Sequence, residues 1–249
     1  MVDMFKLHWL TFEINNECPL TKEHPQCPRS HDRFKNKSLG DPITTQEIID
    51  FVNLCTKTYG FNGLIALHYY NEPLCTKKRV FQLAHAFPDK ITLRTNGILF
   101  ETPLSLIDEA IIDLVHDIYI TVYPGYEKKT ERFLGRPKFD FWRLGLDNRA
   151  LENSTPSYLV NILNRCGRPD WELITDYYGY LHLCCSDWKG EMHIGNIKTD
   201  NWANCIDKWD HLRQYIKSNQ PWDEAHYHIL PPVCKRCLIL TPHIPQVGL

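Results

Sequence analysis

Long apolar runs are missing from this chain of 249 residues. No stretch approaches the ~20 residues that span a bilayer as a helix, so no membrane partner is expected. Charge of one sign is scarce too. Lys and Arg number 28 against 30 Asp and Glu, and the formal net charge of −2 gives no electrostatic case for nucleic acid. The first residues, Met1-Val2-Asp3-Met4-Phe5-Lys6, lack the basic start, apolar stretch and small-residue cleavage site of a secretory signal. The expectation is therefore a cytoplasmic protein. Internal repeats and low-complexity segments are absent. The 43% hydrophobic and 23% charged fractions are ordinary for a globular protein that buries a substantial core in one or two domains.

Cysteine is abundant, at ten residues. In a secreted chain this count suggests disulfides, but in a reducing cytosol it suggests metal ligation. Six of the ten form two groups. Cys18 and Cys27 flank His24 in a loop after a predicted strand. Cys166, Cys184, Cys234 and Cys237 gather in the C-terminal third, the last two as a C-x2-C pair. Soft thiolates at these spacings select zinc or an iron–sulfur cluster. Cys55, Cys75 and Cys205 fall on predicted helices or core positions and read as small buried hydrophobes.

Strand and helix patterns alternate in the first half. Residues 8–15, 63–70, 90–94 and 117–123 read as strands, and 77–87 and 104–114 as helices. Thr44-Thr45-Gln46-Glu47 reads as a capped helix start, with Ile48, Phe51, Val52, Cys55 and Tyr59 on one face. Tyr69 and Tyr70 would then alternate across a strand. Repeated strand–helix units imply a parallel sheet curling towards a barrel, with its chemistry at the C-terminal ends of the strands. After about residue 151 the rhythm changes. Residues 171–175 and 180–184 flank Asp176-Tyr177-Tyr178-Gly179, a hairpin signal, and 202–217 reads as a helix. A small second domain of this kind would need its metal in order to fold.

Several motifs share an order that resembles one family. His68-Tyr69-Tyr70-Asn71-Glu72-Pro73-Leu74 is similar to the strand-end G-E-P-L motif of radical S-adenosylmethionine (SAM, AdoMet) enzymes. Arg94-Thr95-Asn96-Gly97 is similar to their T-N-G, and Asp147-Asn148-Arg149 to a segment whose arginine faces the active site. Gly179-Tyr180-Leu181-His182-Leu183-Cys184-Cys185-Ser186-Asp187-Trp188, then Gly195-Asn196-Ile197 and Cys234-Lys235-Arg236-Cys237, resemble a C-terminal auxiliary-cluster domain of Twitch/SPASM type. The nearest likeness is the short Twitch subgroup that includes an inosamine (2-deoxy-scyllo-inosamine) dehydrogenase.

The resemblance implies an α/β fold: a partial (β/α)6 TIM-type barrel over residues 1–150, then a small cysteine-rich auxiliary domain over 151–249. It implies a radical-SAM [4Fe-4S] cluster on Cys18, His24 and Cys27, with one iron left open for SAM. Asn71, Glu72, Pro73, Thr95 and Asn96 would line the SAM site, with Glu72 accepting from its ammonium and Arg149 contacting substrate or the SAM carboxylate. An auxiliary [4Fe-4S] cluster would sit on Cys166, Cys184, Cys234 and Cys237, with Cys185 as the alternative to Cys184. The implied activity is hydrogen-atom abstraction by a 5′-deoxyadenosyl radical, with the auxiliary cluster accepting an electron. Substrates would be a small molecule to oxidise or a peptide to modify, the latter with a separate peptide-recognition protein. The partner would be a one-electron reductant of flavodoxin or ferredoxin type.

One departure stands out. The family loop reads C-x3-C-x2-C, whereas this chain has C-x5-H-x2-C, with His24 in the place of the middle cysteine. Histidine ligation raises a cluster's potential. His24 is either a ligand or a loop residue beside the site, with His31 a weaker candidate. A catalytically silent homologue, serving as a metal-bearing scaffold subunit, is the alternative reading.

Overall fold

Five strands follow one another in chain order and all run parallel. In this computed structural model, which describes residues 7–23, 27–30, 40–142, 171–218 and 231–234, they are β1 (Trp9–Phe12), β2 (Leu64–Ala66), β3 (Ile91–Thr95), β4 (Asp117–Thr121) and β5 (Phe139–Trp142). Parallel neighbours need crossovers. These carry α1 (Thr45–Tyr59), α2 (Lys77–Ala86), α3 (Leu106–Leu114) and the short α4 (Glu127–Thr130). On the far side of β1, β6 (Glu172–Thr175) adds in parallel, and β7 (Leu181–His182) pairs antiparallel with β6. The result is a mixed α/β fold on a seven-stranded, mostly parallel sheet in the order β5-β4-β3-β2-β1-β6-β7. The C-terminal hairpin thus extends the sheet that β1 begins. The expected boundary near residue 150 lies outside the described residues.

Local chemistry explains the element starts. The Thr44 hydroxyl accepts from Glu47 N at 3.2 Å, and the Glu47 carboxylate accepts from Thr44 N at 2.7 Å, the reciprocal cap that the sequence predicts. Ile48, Phe51, Val52, Cys55 and Tyr59 are the buried face of α1, as their spacing requires. Ser105 and Asp108 cap α3 in the same way, and Asp108 also binds Lys77 Nζ at 2.9 Å. At the start of β2, a Cβ on Gly63 would stand 2.4 Å from the His8 carbonyl oxygen, so only glycine lets these strands approach.

Alternation divides the sheet into two unlike faces. Leu10 and Phe12, Ile91 and Leu93, and Ile118 and Ile120 belong to the main apolar core. Phe12 meets Phe51 of α1 edge-on at 6.3 Å, and Phe51 meets Trp202 of α5 (Trp202–Ser218) at 5.8 Å. The opposite face carries Trp9, Thr11, Thr92, Arg94, Asp117, Tyr119, Glu172 and Ile174. Among the described residues no helix is long and apolar enough to cross a membrane.

Two expectations change. Residues 63–70 do not form one strand, because β2 ends at Ala66. Beyond it the Asn71 side chain accepts from Tyr69 N at 3.0 Å and turns the chain. Tyr69 and Tyr70 therefore lie side by side, both buried, with ring centroids 4.2 Å apart. β5 is a strand the sequence reading did not include, although Phe139 and Phe141 alternate along it.

Candidate functional site

The C-terminal ends of β1, β2 and β3 converge on Glu72. Its carboxylate is buried and accepts from Thr95 Oγ1 at 2.6 Å, Asn96 N at 2.8 Å and Leu74 N at 3.0 Å. Burial nonetheless pushes the carboxyl up to about 7, against the pull of those three donors. The turn at Thr95-Asn96-Gly97 is built by its own side chains. Thr95 Oγ1 accepts from Gly97 N at 3.0 Å, Asn96 Oδ1 accepts from Ile98 N at 3.1 Å, and Gly97 takes a φ of +71°. Glu72, Pro73, Thr95 and Asn96 are thus brought together as the sequence reading requires. Asn71 stands beside them, with its Nδ2 buried and without a partner among the described residues.

The first cysteine segment is tied to that site by a residue the sequence reading passed over. Asn15 Nδ2 donates to the Glu72 carbonyl and to Thr76 Oγ1, both at 3.0 Å, while its Oδ1 accepts from Glu17 N at 2.9 Å. Glu72 N then donates to the Glu17 carbonyl at 2.7 Å, setting Cys18 next to the strand end. Burial raises the Cys18 thiol above its ordinary value. Cys75 departs from its expected place in the core. It is half-buried in the 3-10 turn Pro73–Thr76, near Glu72, Glu17 and Cys18, with its thiol pushed up to about 12.

Cys27 packs elsewhere, against a small buried group of Tyr69, Tyr70, Ile174, Cys185 and Trp188. The Tyr70 hydroxyl donates to the Cys185 carbonyl. The two cysteine segments, far apart in sequence, therefore share one aromatic wall. A chain of buried polar groups runs beside it. Arg29 Nη1 meets Glu13 Oε1 at 3.4 Å, and Glu13 Oε2 accepts from Tyr177 N at 3.3 Å. Burial pushes the Glu13 carboxyl up to about 7, although Arg29 opposes this.

His182, fully buried, donates from Nδ1 to the Asp187 carbonyl at 2.7 Å and sets Nε2 3.1 Å from Asp176 Oδ2. Since a carbonyl only accepts, Nδ1 carries the hydrogen of that bond. Asp187 then folds the cysteine loop: its carboxylate accepts from Glu191 N at 2.9 Å and Leu183 N at 3.4 Å, and its N–H donates to the Cys184 carbonyl at 3.0 Å.

Below this lies the polar face of the sheet. The Arg94 guanidinium sits over the rings of Trp9 and Tyr119, 5.0 and 5.7 Å from their centroids. Burial lowers its pKa, while Glu172, Tyr119, Cys185 and Asp117 raise it. Thr11 Oγ1 and Thr92 Oγ1 are buried there with no partner among the described residues. Alternation within β1 and β3 was the signal that could have found these residues.

Of the expected metal ligands, Cys18 and Cys27 are half-buried and Cys184 and Cys234 buried. His24, Cys166 and Cys237 lie outside the described residues, as do His31 and Arg149. Among the described residues no group of three or more His, Cys, Asp or Glu side chains is placed to hold a metal ion.

No family model and no curated protein matches this chain. Two crystal structures do. BtrN in complex with AdoMet and 2-DOIA superposes with a TM-score of 0.65 at 20% identity, over 90% of each chain. Selenomethionyl BtrN in an open conformation gives 0.58 at 18% identity, over 93% of this chain and 92% of that one. The chain thus shares the fold of BtrN over about nine-tenths of its length.

Proposed function

We propose that this chain is a radical-SAM oxidoreductase acting on a small polar molecule. The observation that carries the reading is Glu72: a buried carboxylate at a parallel-strand end, preoriented by Thr95 and Asn96 and seated beside the Cys18 segment. The binding of AdoMet by the BtrN neighbour supports it. The sheet reads as a partial barrel, and the residues beyond about 150 as an auxiliary-cluster domain.

The thiols of these segments are the soft donors that such groups take. Cys18 supplies a soft thiol beside the Glu72 strand end and Cys27 another against the neighbouring aromatic group, and His24 would be the third ligand. Cys184 and Cys234 are buried thiols that Cys166 and Cys237 would complete. Bound SAM with its cluster would supply a 5′-deoxyadenosyl radical able to take a hydrogen atom from substrate, and the auxiliary cluster a one-electron acceptor. An external one-electron reductant is the partner this chemistry needs.

The chain's own contribution is positional. Glu72 keeps a lone pair for an ammonium, and a cation there offsets the burial that now raises its pKa. The Asn71 amide offers a further donor. Buried walls exclude water from a radical. The polar face bearing Thr11, Thr92, Arg94, Asp117 and Glu172 suits a hydroxylated or amino-substituted substrate, in keeping with a neighbour that holds 2-DOIA. Peptide modification draws no comparable support from the described residues.

Anaerobic reconstitution tests the reading. The expected result is two clusters, about eight irons per chain, and SAM binding by calorimetry that weakens about tenfold or more in Glu72→Gln, as loss of a charge-assisted hydrogen bond requires. Stoichiometric zinc in protein kept without oxygen, or SAM binding indifferent to Glu72→Gln, would overturn it.

A further inference from the structure

One row across the sheet holds polar atoms that no other described residue bonds. Register sets Thr11 of β1, Ala66 of β2, Thr92 of β3 and Asp117 of β4 side by side, so all four share the polar face. Thr11 and Thr92 are 1% and 0% exposed. Thr11 Oγ1, Thr92 Oγ1 and the buried Asp117 Oδ1 have no hydrogen-bond partner among the described residues. The Arg94 guanidinium lies along the same face, against Trp9 and Tyr119, yet neither threonine hydroxyl bonds it. Buried polar atoms normally find partners, because an unmet one keeps its full desolvation penalty. Three of them in one register row form a set that one ligand can satisfy.

Thr175 gives the contrast. Its Oγ1 is also buried without a described partner, but Thr175 pairs with Phe12 and so belongs to the apolar face. A single unmet hydroxyl is not a site. The row differs in bringing hydroxyl and carboxylate oxygens together on the face that lines the sheet's polar side.

The spacing bears on what would fit. Thr11 and Thr92 flank β2, whose residue at this level is Ala66. Their Cα atoms are therefore roughly 10 Å apart, twice the strand spacing, with only a methyl group between them. Threonine hydroxyls both donate and accept, whereas the Asp117 carboxylate only accepts. A compact ring bearing several hydroxyl groups offers donors and acceptors on opposite edges. A phosphate would instead set its charge against that of Asp117. We propose that Thr11, Thr92 and Asp117 form a subsite for the ring hydroxyls of a polyhydroxylated substrate, with the two threonines setting its specificity.

This rests on the small-polar-molecule reading above and names the groups that read the substrate. Thr92 stands three residues before Thr95, the partner of Glu72, so the row lies beneath the SAM receptor rather than in it.

The test uses Thr11→Val and Thr92→Val, which keep the side-chain shape and lose the hydroxyl, with Thr175→Val as the control from the other face. Urea unfolding of the reconstituted, ligand-free chain comes first. A hydroxyl without a partner has no bond to lose, so each variant should have a midpoint at or above wild type. Calorimetry then follows 2-deoxy-scyllo-inosamine and myo-inositol into the SAM-loaded protein. Wild type should bind at least one of these rings. Thr11→Val and Thr92→Val should each bind it about three- to tenfold more weakly, as loss of one hydrogen bond gives. Thr175→Val should bind it as wild type does, and SAM affinity should stay the same in all four proteins. A lowered midpoint in Thr11→Val or Thr92→Val would show a hydroxyl already bonded within the chain or to a fixed water, and would overturn the proposal. Ring binding that is absent in wild type, or indifferent to both threonines, would overturn it too. In those cases SAM binding that still weakens in Glu72→Gln would leave the function proposed above standing.

Discussion

The strand-end site around Glu72 and the cysteine loop around Cys184 are both buried, yet they are held in opposite ways. Glu72 is surrounded by donors that belong to the sheet itself: a hydroxyl and a backbone N–H at the end of β3, and the N–H of Leu74 in its own turn. It is a finished receptor before any ligand arrives. The C-terminal loop is tied by side chains from distant or irregular segments: the His182 imidazole, the Asp187 carboxylate and the Tyr70 hydroxyl. The first site is set by the fold. The second, on the proposed reading, would be completed by the cluster it holds.

If that contrast is right, removing a thiol should harm the second site most. Cys234→Ala should cost one cluster and destabilise the C-terminal segment, because ligand binding there contributes folding free energy. Glu72→Gln should keep its iron and its fold. Iron content together with thermal unfolding of both variants checks this, and equal losses in the two would erase the distinction.

His182 offers a cut within the protein rather than at a ligand. His182→Ala removes one hydrogen bond from Asp176 Oδ2 and one from the Asp187 carbonyl, which keeps Gly190 N, at about 0.5–1.5 kcal/mol for each lost bond, besides the cavity left by the ring. Denaturant unfolding of the metal-free protein should show the loss. A variant as stable as wild type would mean that the loop is held by other contacts.

The two sites also differ in how far the sequence announces them. The cap at Thr44 and Glu47 and the buried stripe of α1 are local, and periodicity encodes them fully. The meeting of Glu72 with Thr95 and Asn96 follows once both are placed at adjacent parallel strand ends. The groups that position the cysteines are different. Asn15 reaches Glu72 across 57 residues, Tyr70 reaches Cys185 across 115, and Glu13 reaches Tyr177 across 164. A polar residue next to a strand carries no local mark of a partner so distant. Pairing of β6 with β1 brings the last two pairs together, and the sequence reading had placed β6 beyond a change of rhythm rather than beside β1.

Buried carboxylates give a weaker but cleaner probe. Glu13 and Glu72 each rise from 4.5 to about 7 on folding. Between those values the folded chain holds protons that the unfolded chain has lost. Stability of the metal-free protein should therefore fall as pH rises from about 5 to 7, by at most about 3 kcal/mol for each group. The penalty persists at higher pH. Glu72→Gln should remove its share of the slope, and Glu13→Gln the rest. Urea midpoints across this range provide the check, and a slope unchanged in the double variant would refute the assignment. A cation bound at Glu72 should flatten the same slope, so SAM affinity should weaken as the pH drops below 7.

The smallest expected change is at His24, where the proposed reading exchanges one ligand atom for another. If His24 ligates the cluster, neutral imidazole replaces a thiolate, so the N-terminal cluster would carry one negative charge fewer and its reduced state would be less disfavoured. The second ring nitrogen then needs a partner to fix the tautomer. His24→Cys should restore the family's ligand set, leave the iron count unchanged and lower the midpoint of the N-terminal cluster, with cleavage of SAM to 5′-deoxyadenosine kept or increased. His24→Ala should lose iron or cleavage. Full iron and normal cleavage in His24→Ala would make the histidine a bystander and send the search for a third ligand to other residues, beginning with Cys75 beside Cys18. If wild type and His24→Cys both bind SAM under strong reductant yet release no 5′-deoxyadenosine, the chain is a silent homologue that keeps the receptor at Glu72 without its chemistry.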